Sequence, residues 1–382
     1  MNAPESFVSP GLDAQRLAEA RAWQARAQAG ENLLLGDARA LPAPVAQLAA
    51  LQDDSPGVKQ VCDGGLTAVV RCWQDEQGRR WAIKQARPQS RVRNADGETA
   101  FVNELLRHGE LRALQAQGAR LTGVHLPVWG SLRHGLLVSP WIARAQAPTA
   151  TDPRVLTQVL TSGCALAVNG FFDWDPSPGN LLDDGQQVWR FDLGYCYRFD
   201  PRLGFNSAGD GVHAGNALPL HHVAERIETR WLSGAWLDLE QRRGLAAAVE
   251  AARLFNAAVA QAYAHAAMAL VAKGGQAAVM AAWQQLAAQR AAATRDDAAA
   301  RAFYVRQSWH AHWHDVQDDL SGRSCTATTL ARLDWLREAS GQHAELLSPD
   351  VPALADEPRR QALRSQLAQW VQEASGCRVD RS

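Results

Sequence analysis

The sequence predicts an α+β protein with two lobes, one small and β-rich and one larger and mostly helical. Apolar and polar residues alternate in short runs between residues 61 and 142, whereas helical spacing dominates from residue 221 to 377. The chain has 382 residues and is 47% hydrophobic, which is enough apolar material for two cores. We therefore expect an N-terminal helical extension at 1–59, a β-rich lobe at 60–142 and a helical lobe at 143–382.

Composition narrows the class of protein. A formal net charge of −1 provides no general attraction to nucleic acid or anionic lipid. The six cysteines are scattered without a C-x-x-C pair, which indicates neither a zinc site nor a disulfide framework and favours a reducing compartment. The N-terminus lacks the features of a secretory signal. Two long uncharged runs exist, but polar residues interrupt the run at 155–172, and the run at 254–272 is mostly alanine, which contributes little to membrane insertion. We expect a soluble cytoplasmic protein with no membrane span and no nucleic-acid partner.

The first elements are helices followed by a hairpin. Residues 13–52 show helix-like spacing of Leu, Ala and Trp, with no visible chemistry. Two strand-like runs, 67–73 and 80–85, are then joined by a turn sequence at 74–78. Lys84 lies near the end of the second run and is one of only three lysines among 39 basic residues, which suggests a need for its compact ammonium.

A helix and two further strands come next. Residues 97–116 have helical spacing and carry three glutamates, of which Glu104 is our candidate for a functional role, while Glu98 and Glu110 are its rivals. Residues 124–142 read as two strands around a turn at 133–135, and residues 152–168 as an apolar helix.

The segment from Phe171 to Phe199, FFDWDPSPGNLLDDGQQVWRFDLGYCYRF, contains the densest set of polar side chains. Leu181-Leu182 and residues 187–191 predict a short hairpin that turns at 183–185. Asn180 and Asp192 would then face each other at its open end, with Asp175 five residues upstream of Asn180. Side-chain oxygens in this arrangement suit Mg²⁺, which accepts few protein ligands and completes its shell with phosphate and water. An ordinary hairpin with turn-forming Asp and Asn is the alternative interpretation.

The order Asp175-x-x-x-x-Asn180, hairpin, Asp192-Leu-Gly resembles the catalytic and metal-binding segments of the protein-kinase-like superfamily. DPSPGN is closest to the D-x-H-P-G-N form of the aminoglycoside and choline phosphotransferase branch, and DLG corresponds to DFG. The resemblance covers about residues 60–200, places the catalytic loop at 171–194 and implies a two-lobed kinase-like fold.

The same resemblance implies a set of roles for an enzyme that uses ATP and Mg²⁺. It assigns phosphate contacts to Lys84 of Ala-Ile-Lys, with Glu104 as its ion-pair partner, and a catalytic role toward a hydroxyl acceptor to Asp175. The acceptor is a small molecule or a protein. Gly64 and Gly65 correspond to the glycine loop over the phosphates, and Ser139 and Trp141 to the hinge beside adenine at 138–142. Asn180 and Asp192 are the implied metal ligands.

The chain also departs from the family pattern. Its loop has two adjacent glycines instead of G-x-G-x-x-G, Ser177 occupies the place of a His or Lys, and Asp173 occupies that of the HxD histidine. No activation segment is recognisable after residue 200, and 201–220 is expected to be a loop. These departures keep open a pseudokinase that serves as a binding module. A kinase fold that transfers AMP is a further alternative, because nothing in the core motifs fixes which phosphate is attacked.

A histidine cluster in the helical lobe is the one other metal candidate. His310 and His314 are spaced i, i+4, with His312 between them and Asp318 following. Trp309 and Trp313 lie beside these histidines in sequence, and this favours packing over metal binding.

Overall fold

A six-stranded antiparallel sheet forms the N-terminal part of the protein in the computed structural model, which describes residues 10–92, 94–208, 221–323 and 325–377. The strand order is β1-β5-β6-β4-β3-β2. The strands are β1 (Leu34–Gly36), β2 (Val58–Cys62), β3 (Ala68–Gln74), β4 (Arg80–Ala86), β5 (Trp129–Ser131) and β6 (Leu136–Pro140). The hairpins predicted at 67–85 and 124–142 are confirmed. Strand β1 lies within the segment 1–59 that was expected to be a helical extension.

The β3–β4 turn shows why this hairpin forms where it does. The Asp75 carboxylate accepts hydrogen bonds from the backbone N–H groups of Gln77 and Arg79 and from the indole N–H of Trp81. Gly78 has a φ of +77°, a conformation that glycine adopts without strain. The polar turn sequence therefore closes the hairpin from its own side chains.

Side chains alternate between the two faces of the sheet, as strand geometry requires. On one face, Ile83 and Val138 form a core with Leu48, a residue of helix α2 (Val45–Ala49). On the other face, Leu137 packs with Leu105 of the long helix α3 (Ala95–Ala116). Helix α1 (Pro10–Gln28) in turn packs against α3.

Four short strands carry the polar segment at residues 171–198. Strands β7 (Phe171–Asp173) and β10 (Cys196–Arg198) pair antiparallel, with Asp173 opposite Cys196. Strands β8 (Leu181–Asp183) and β9 (Val188–Arg190) form the predicted hairpin, with Leu181 opposite Arg190. The sequence prediction of this hairpin is confirmed.

Helices account for most of the rest of the described chain. Its helices are α4 (Pro153–Val168), α5 (Val223–Ile227), α6 (Ser233–Arg243), α7 (Leu245–Ala272), α8 (Ala277–Ala292), α9 (Asp297–Ser321), α10 (Ala327–Gln342), α11 (Ala344–Leu347) and α12 (Glu357–Gly376). The expected helical C-terminal part is confirmed, so the chain is mixed α+β. Of the loop expected at 201–220, residues 209–220 lie outside the described part.

The chain forms two compact units. The first contains the sheet and the strands of the polar segment and comprises Met1–Pro148, Thr161–Val223 and Met268–Met280. The second comprises Thr149–Leu160, Ala224–Ala267 and Ala281–Ser382. The residues that the sequence proposed for the nucleotide, Mg²⁺ and acceptor site all belong to the first unit, whereas the histidine cluster at 310–314 belongs to the second.

Within the described residues, one helix is long and apolar enough to cross a membrane by length and composition, namely α7. Its buried side chains include Phe255, Val259 and Tyr263, which recur every four residues and form one stripe. Core helices of soluble proteins meet the same criterion, so this helix is weak support for a membrane span.

Candidate functional site

A cavity of about 590 Å³ lies within the first unit, a volume typical of small-molecule sites. Strands β3, β4 and β6 supply apolar lining, and the β8–β9 hairpin supplies Leu182. Gly64 and Asp175 are not part of the lining. The other residues proposed from the sequence all contribute to it: Gly65, Lys84, Glu104, Ser139, Trp141, Asn180 and Asp192.

Lys84 places its ammonium between two carboxylates. Its Nζ atom is 2.7 Å from Glu104 Oε2 and 2.8 Å from Asp192 Oδ2. Strand alternation accounts for this orientation, because neighbouring Ile83 enters the core on the other face of β4. Burial by itself would lower the pKa of Lys84, but the charges of Asp192 and Glu104 outweigh burial and raise this pKa. Lys84 is therefore a charged ammonium in the cavity wall at every physiological pH.

Glu104 is the glutamate of α3 that contacts Lys84. Its carboxylate is buried, and His108 Nε2 lies 3.7 Å from its Oε1 atom. Burial would raise the pKa of Glu104, whereas the Lys84 charge and the neighbouring His108 ring lower it, and the lowering prevails. The rivals lie elsewhere: Glu98 is exposed, and Glu110 is 3.3 Å from Arg107 Nε.

Asp192 is held by backbone geometry and by helix α3. Its φ of +57° lies in the left-handed region, where Asp and Asn are the non-glycine residues best tolerated. Asn103 on α3 donates hydrogen bonds to the carbonyl oxygens of Gly194 (2.9 Å) and Cys196 (2.8 Å), which fixes the chain just after Asp192. Burial raises the pKa of Asp192, although the Lys84 charge acts in the opposite direction. Additional positive charge nearby would therefore stabilise the ionised form of this carboxylate.

Asp175 orients the amide of Asn180. The Asn180 Nδ2 group donates to the Asp175 carbonyl oxygen at 2.9 Å and to its carboxylate at 3.0 Å. Because Nδ2 is turned toward Asp175, the Oδ1 atom remains available as a ligand, with no hydrogen bond to any residue in the described ranges. Phe191 N–H donates to Asn180 O at 3.1 Å and keeps Asn180 close to the strand that leads to Asp192.

The donor set fits Mg²⁺ in one particular way. Within residues 10–377, outside the gaps in the description, no group of three or more His, Cys, Asp or Glu side chains is placed to hold a metal ion by itself. An amide oxygen from Asn180 and a carboxylate from Asp192 line the same cavity instead. Mg²⁺ is commonly bound by one or two such ligands together with substrate phosphate and water. These residues therefore suit a cation that arrives with a phosphate-bearing ligand.

The glycine loop is held open by arginines that follow β4. Arg87 donates from Nε to the Gly65 carbonyl oxygen at 3.0 Å and from Nη2 to the Asp63 carbonyl oxygen at 2.8 Å, and it also pairs with the Asp63 carboxylate. The backbone N–H of Arg91 donates to Leu66 O at 2.9 Å. The carbonyl groups of Asp63, Gly65 and Leu66 are thus engaged, while the N–H groups of residues 64–67 make no hydrogen bond within the described chain. The Arg87 hydrogen bond lowers the pKa of Asp63, so this carboxylate stays ionised and is paired with the Arg87 guanidinium.

Two backbone groups of the hinge already have partners within the protein. Trp141 N–H donates to the Arg80 carbonyl oxygen at 3.0 Å, and the Pro140 carbonyl oxygen lies 3.0 Å from His125 Nε2. Ser139 and Trp141 line the cavity, but the Trp141 N–H is already engaged. The first hinge residue whose backbone makes no hydrogen bond to the described chain is Ile142.

Sequence reasoning did not find the contact between Asp173 and Arg190. The two side chains form a buried ion pair, and Asp173 Oδ1 also accepts a hydrogen bond from the backbone N–H of Asp175 at 3.0 Å. Burial raises the pKa of Asp173, against the Arg190 charge. A charged residue within the apolar strand sequence Val-Trp-Arg was the available signal. The pair ties the loop before Asp175 to the hairpin that separates Asn180 from Asp192.

Ser177, which also departs from the family pattern, lies in the first unit, and the histidine cluster at 310–314 lies in the second. Ser177 precedes the 3₁₀ turn Pro178–Asn180 and makes no capping hydrogen bond with its side chain. In the second unit, His312 is fully buried, and its ring meets the Trp335 ring edge-on at 5.0 Å between centroids. The His310 and His314 rings are 6.5 Å apart.

No protein-family model matches the chain, and no curated protein matches it.

Proposed function

We propose that this protein is an ATP- and Mg²⁺-dependent phosphotransferase with a two-lobed kinase-like fold, which transfers the γ-phosphoryl group to a hydroxyl acceptor. The observation that supports this most strongly is the position of Lys84, an ammonium on a strand, held by Glu104 from the neighbouring helix beside Asp192. Phosphoryl transfer requires a fixed positive charge beside the phosphates and a carboxylate for the metal. These are the charges brought together here.

The phosphates would lie between Lys84 and the loop at residues 64–67. Four consecutive backbone N–H groups with no hydrogen bond to the described chain can accept an anion, because each is a partial positive charge that needs no side chain. Arg87 keeps these groups available by engaging the carbonyl oxygens of Asp63 and Gly65. The adenine would lie toward Ser139, Trp141 and Ile142, with apolar contacts from Ala82 and Leu182.

Asn180 and Asp192 would hold Mg²⁺, which when bound neutralises charge on the phosphate oxygens. Asp175 would orient the acceptor hydroxyl and accept its proton, and it simultaneously fixes the Asn180 amide. The buried pair of Asp173 and Arg190 would set the position of Asp175 through the backbone hydrogen bond described above. Most of the rate enhancement would come from positioning and charge stabilisation. The acceptor is a small molecule or a protein, and neither nucleic acid nor a membrane takes part in this proposal.

Mass analysis of products tests the proposal. The protein is incubated with ATP and Mg²⁺ in the presence of a mixture of metabolites and proteins, and products are examined for added phosphate or added AMP. Added phosphate supports the proposal, whereas added AMP assigns the site to AMP transfer. Nucleotide binding without either product identifies a pseudokinase. An ATP-using enzyme of this type is consistent with the cytoplasmic location expected from the sequence.

A pair of matched variants tests the site directly. Glu104→Gln removes the charge that holds Lys84 and should slow transfer, while Glu98→Gln changes an exposed glutamate on the same helix and should not. Slower transfer in the Glu98 variant than in the Glu104 variant would contradict the assignment.

A further inference from the structure

Two cysteines in the second unit meet although they are 52 residues apart in the sequence. Cys325 Sγ and Cys377 Sγ are 2.8 Å apart. Cys325 is buried in the turn between α9 and α10, and Cys377 is half-buried at the end of α12. Both residues belong to the same unit. We propose that Cys325 and Cys377 are a modification site that forms a reversible disulfide and fastens helix α12 to the α9–α10 turn.

The packing around the cysteines brings the sulfurs together before any bond forms. Helix α12 packs against α10, and the Trp370 ring on α12 lies 4.6 Å from the Trp313 ring on α9. The backbone N–H of Cys377 donates to Glu373 O at 3.1 Å and continues the helical hydrogen bonding to the last described residue. Because the helices already hold the two sulfurs 2.8 Å apart, the sulfurs need to approach by less than about 1 Å to reach the length of a disulfide bond.

The environment favours a neutral disulfide over a thiolate or a metal complex. Burial and the close contact with the Cys377 thiol raise the pKa of Cys325 to about 12, and the Asp319 carboxylate acts in the same direction. A disulfide carries no charge, so neither burial nor Asp319 opposes it. Across the described part of the chain no third His, Cys, Asp or Glu side chain joins the pair to complete a metal site.

Glutathione disulfide is a suitable oxidant. The more accessible Cys377 thiolate attacks one sulfur of glutathione disulfide, forming a mixed disulfide and releasing one glutathione thiolate. The Cys325 thiol then attacks the Cys377 sulfur and passes its proton to the departing glutathione thiolate, which leaves as the second glutathione. Two protein thiols are oxidised and one glutathione disulfide is reduced to two thiols.

The disulfide would stabilise the second unit by restricting the unfolded chain. A loop of this length is long enough that its closure removes substantial conformational entropy from the unfolded state. For a unit of this size, the expected increase in the thermal midpoint is about 5–10 °C.

Peptide mapping of the full-length protein tests the proposal. The protein is equilibrated with glutathione disulfide, free thiols are alkylated, and a non-reducing digest is analysed by mass spectrometry. We expect a peptide that links Cys325 to Cys377, its loss on treatment with dithiothreitol, and a higher thermal midpoint of the oxidised form. Alkylation of both residues after oxidation, or a stable glutathione adduct on Cys377, would overturn the proposal.

Three variants complete the test. Cys325→Ser should abolish the linked peptide and the redox-dependent shift in the thermal midpoint. Cys377→Ser, at a half-buried helix end, should do the same and provides the answer if the buried Cys325 variant does not fold. Cys62→Ser removes an exposed cysteine of the first unit and should change neither result. This outcome does not depend on phosphotransferase activity, so the two proposals fail separately.

Discussion

Asp192→Asn should separate the role of this carboxylate in transfer from its contribution to stability. Asparagine has the same shape and tolerates the φ of +57° at this position. Lys84 keeps Glu104 at 2.7 Å, so the substitution does not leave the ammonium unpaired. The local fold should therefore persist.

The change in stability should be small. Burial penalises the ionised carboxylate of Asp192 and raises its pKa, while the Lys84 charge acts in the opposite direction. A neutral amide removes that cost but also removes the attraction to Lys84. Because the two effects oppose each other, we expect the free energy of unfolding to change by no more than about 1 kcal/mol.

The change in transfer should be large. An amide supplies no negative charge to a bound Mg²⁺, and the loss of this stabilisation should be about 4 kcal/mol in the transition state, or about 10³-fold in rate. Urea unfolding and a phosphoryl-transfer assay measure the two quantities on the same preparation. Asp184→Asn, in the turn of the same hairpin, is the matched control and should transfer at the wild-type rate. Undiminished turnover in the Asp192 variant would refute the metal role, and a stability loss above about 2 kcal/mol would refute the balance of charges.

Four other substitutions give distinct results. Lys84→Met should slow transfer by about 10²-fold or more and weaken ATP binding, and an unchanged affinity in calorimetry would remove Lys84 from the phosphate site. Asp175→Ala should lower kcat by about 10²-fold while Mg-ATP still binds, so lost nucleotide binding in a folded protein would indicate a metal ligand instead. Arg190→Met leaves Asp173 buried without its charge partner and should cost about 3–5 kcal/mol in urea unfolding, where a change below about 1 kcal/mol would contradict this. Burial holds the pKa of His312 well below its ordinary value, so the stability of the protein should fall as pH drops below about 6.5. His312→Phe should remove this pH dependence in thermal melts, and a pH dependence that persists in the variant would refute the reasoning.

The local pattern of the sequence was sufficient to predict the hairpins, because strand period and turn residues act within a few positions of each other. Gln77 and Gly78 lie in a turn that Asp75 closes from the same segment. Strand β1 escaped prediction because it is three residues long and pairs with β5 almost 100 residues later. Its formation depends on a neighbour that local sequence does not specify.

Candidate site residues could be chosen from type, order and spacing, and the selection of Glu104 over Glu98 agrees with the contact to Lys84. Pairs that are distant in sequence could not be found in this way. Asp173 meets Arg190 across two strands, and the Arg87 contact with the loop depends on the way β4 ends beside it.

The amino-acid sequence alone determined most of the helices, the hairpins and the residue types that are available for chemistry, since these follow from backbone preferences and side-chain periodicity. Packing decided which of those residues meet. Lys84 lies between Glu104 and Asp192 only because α3 and the residues after β9 come to the same face of the sheet, and Cys325 meets Cys377 only because α12 packs beside α10. The physical reason is that distant segments come together through burial of apolar surface. The free energy of this burial depends on residues throughout the chain and cannot be assigned to any single position.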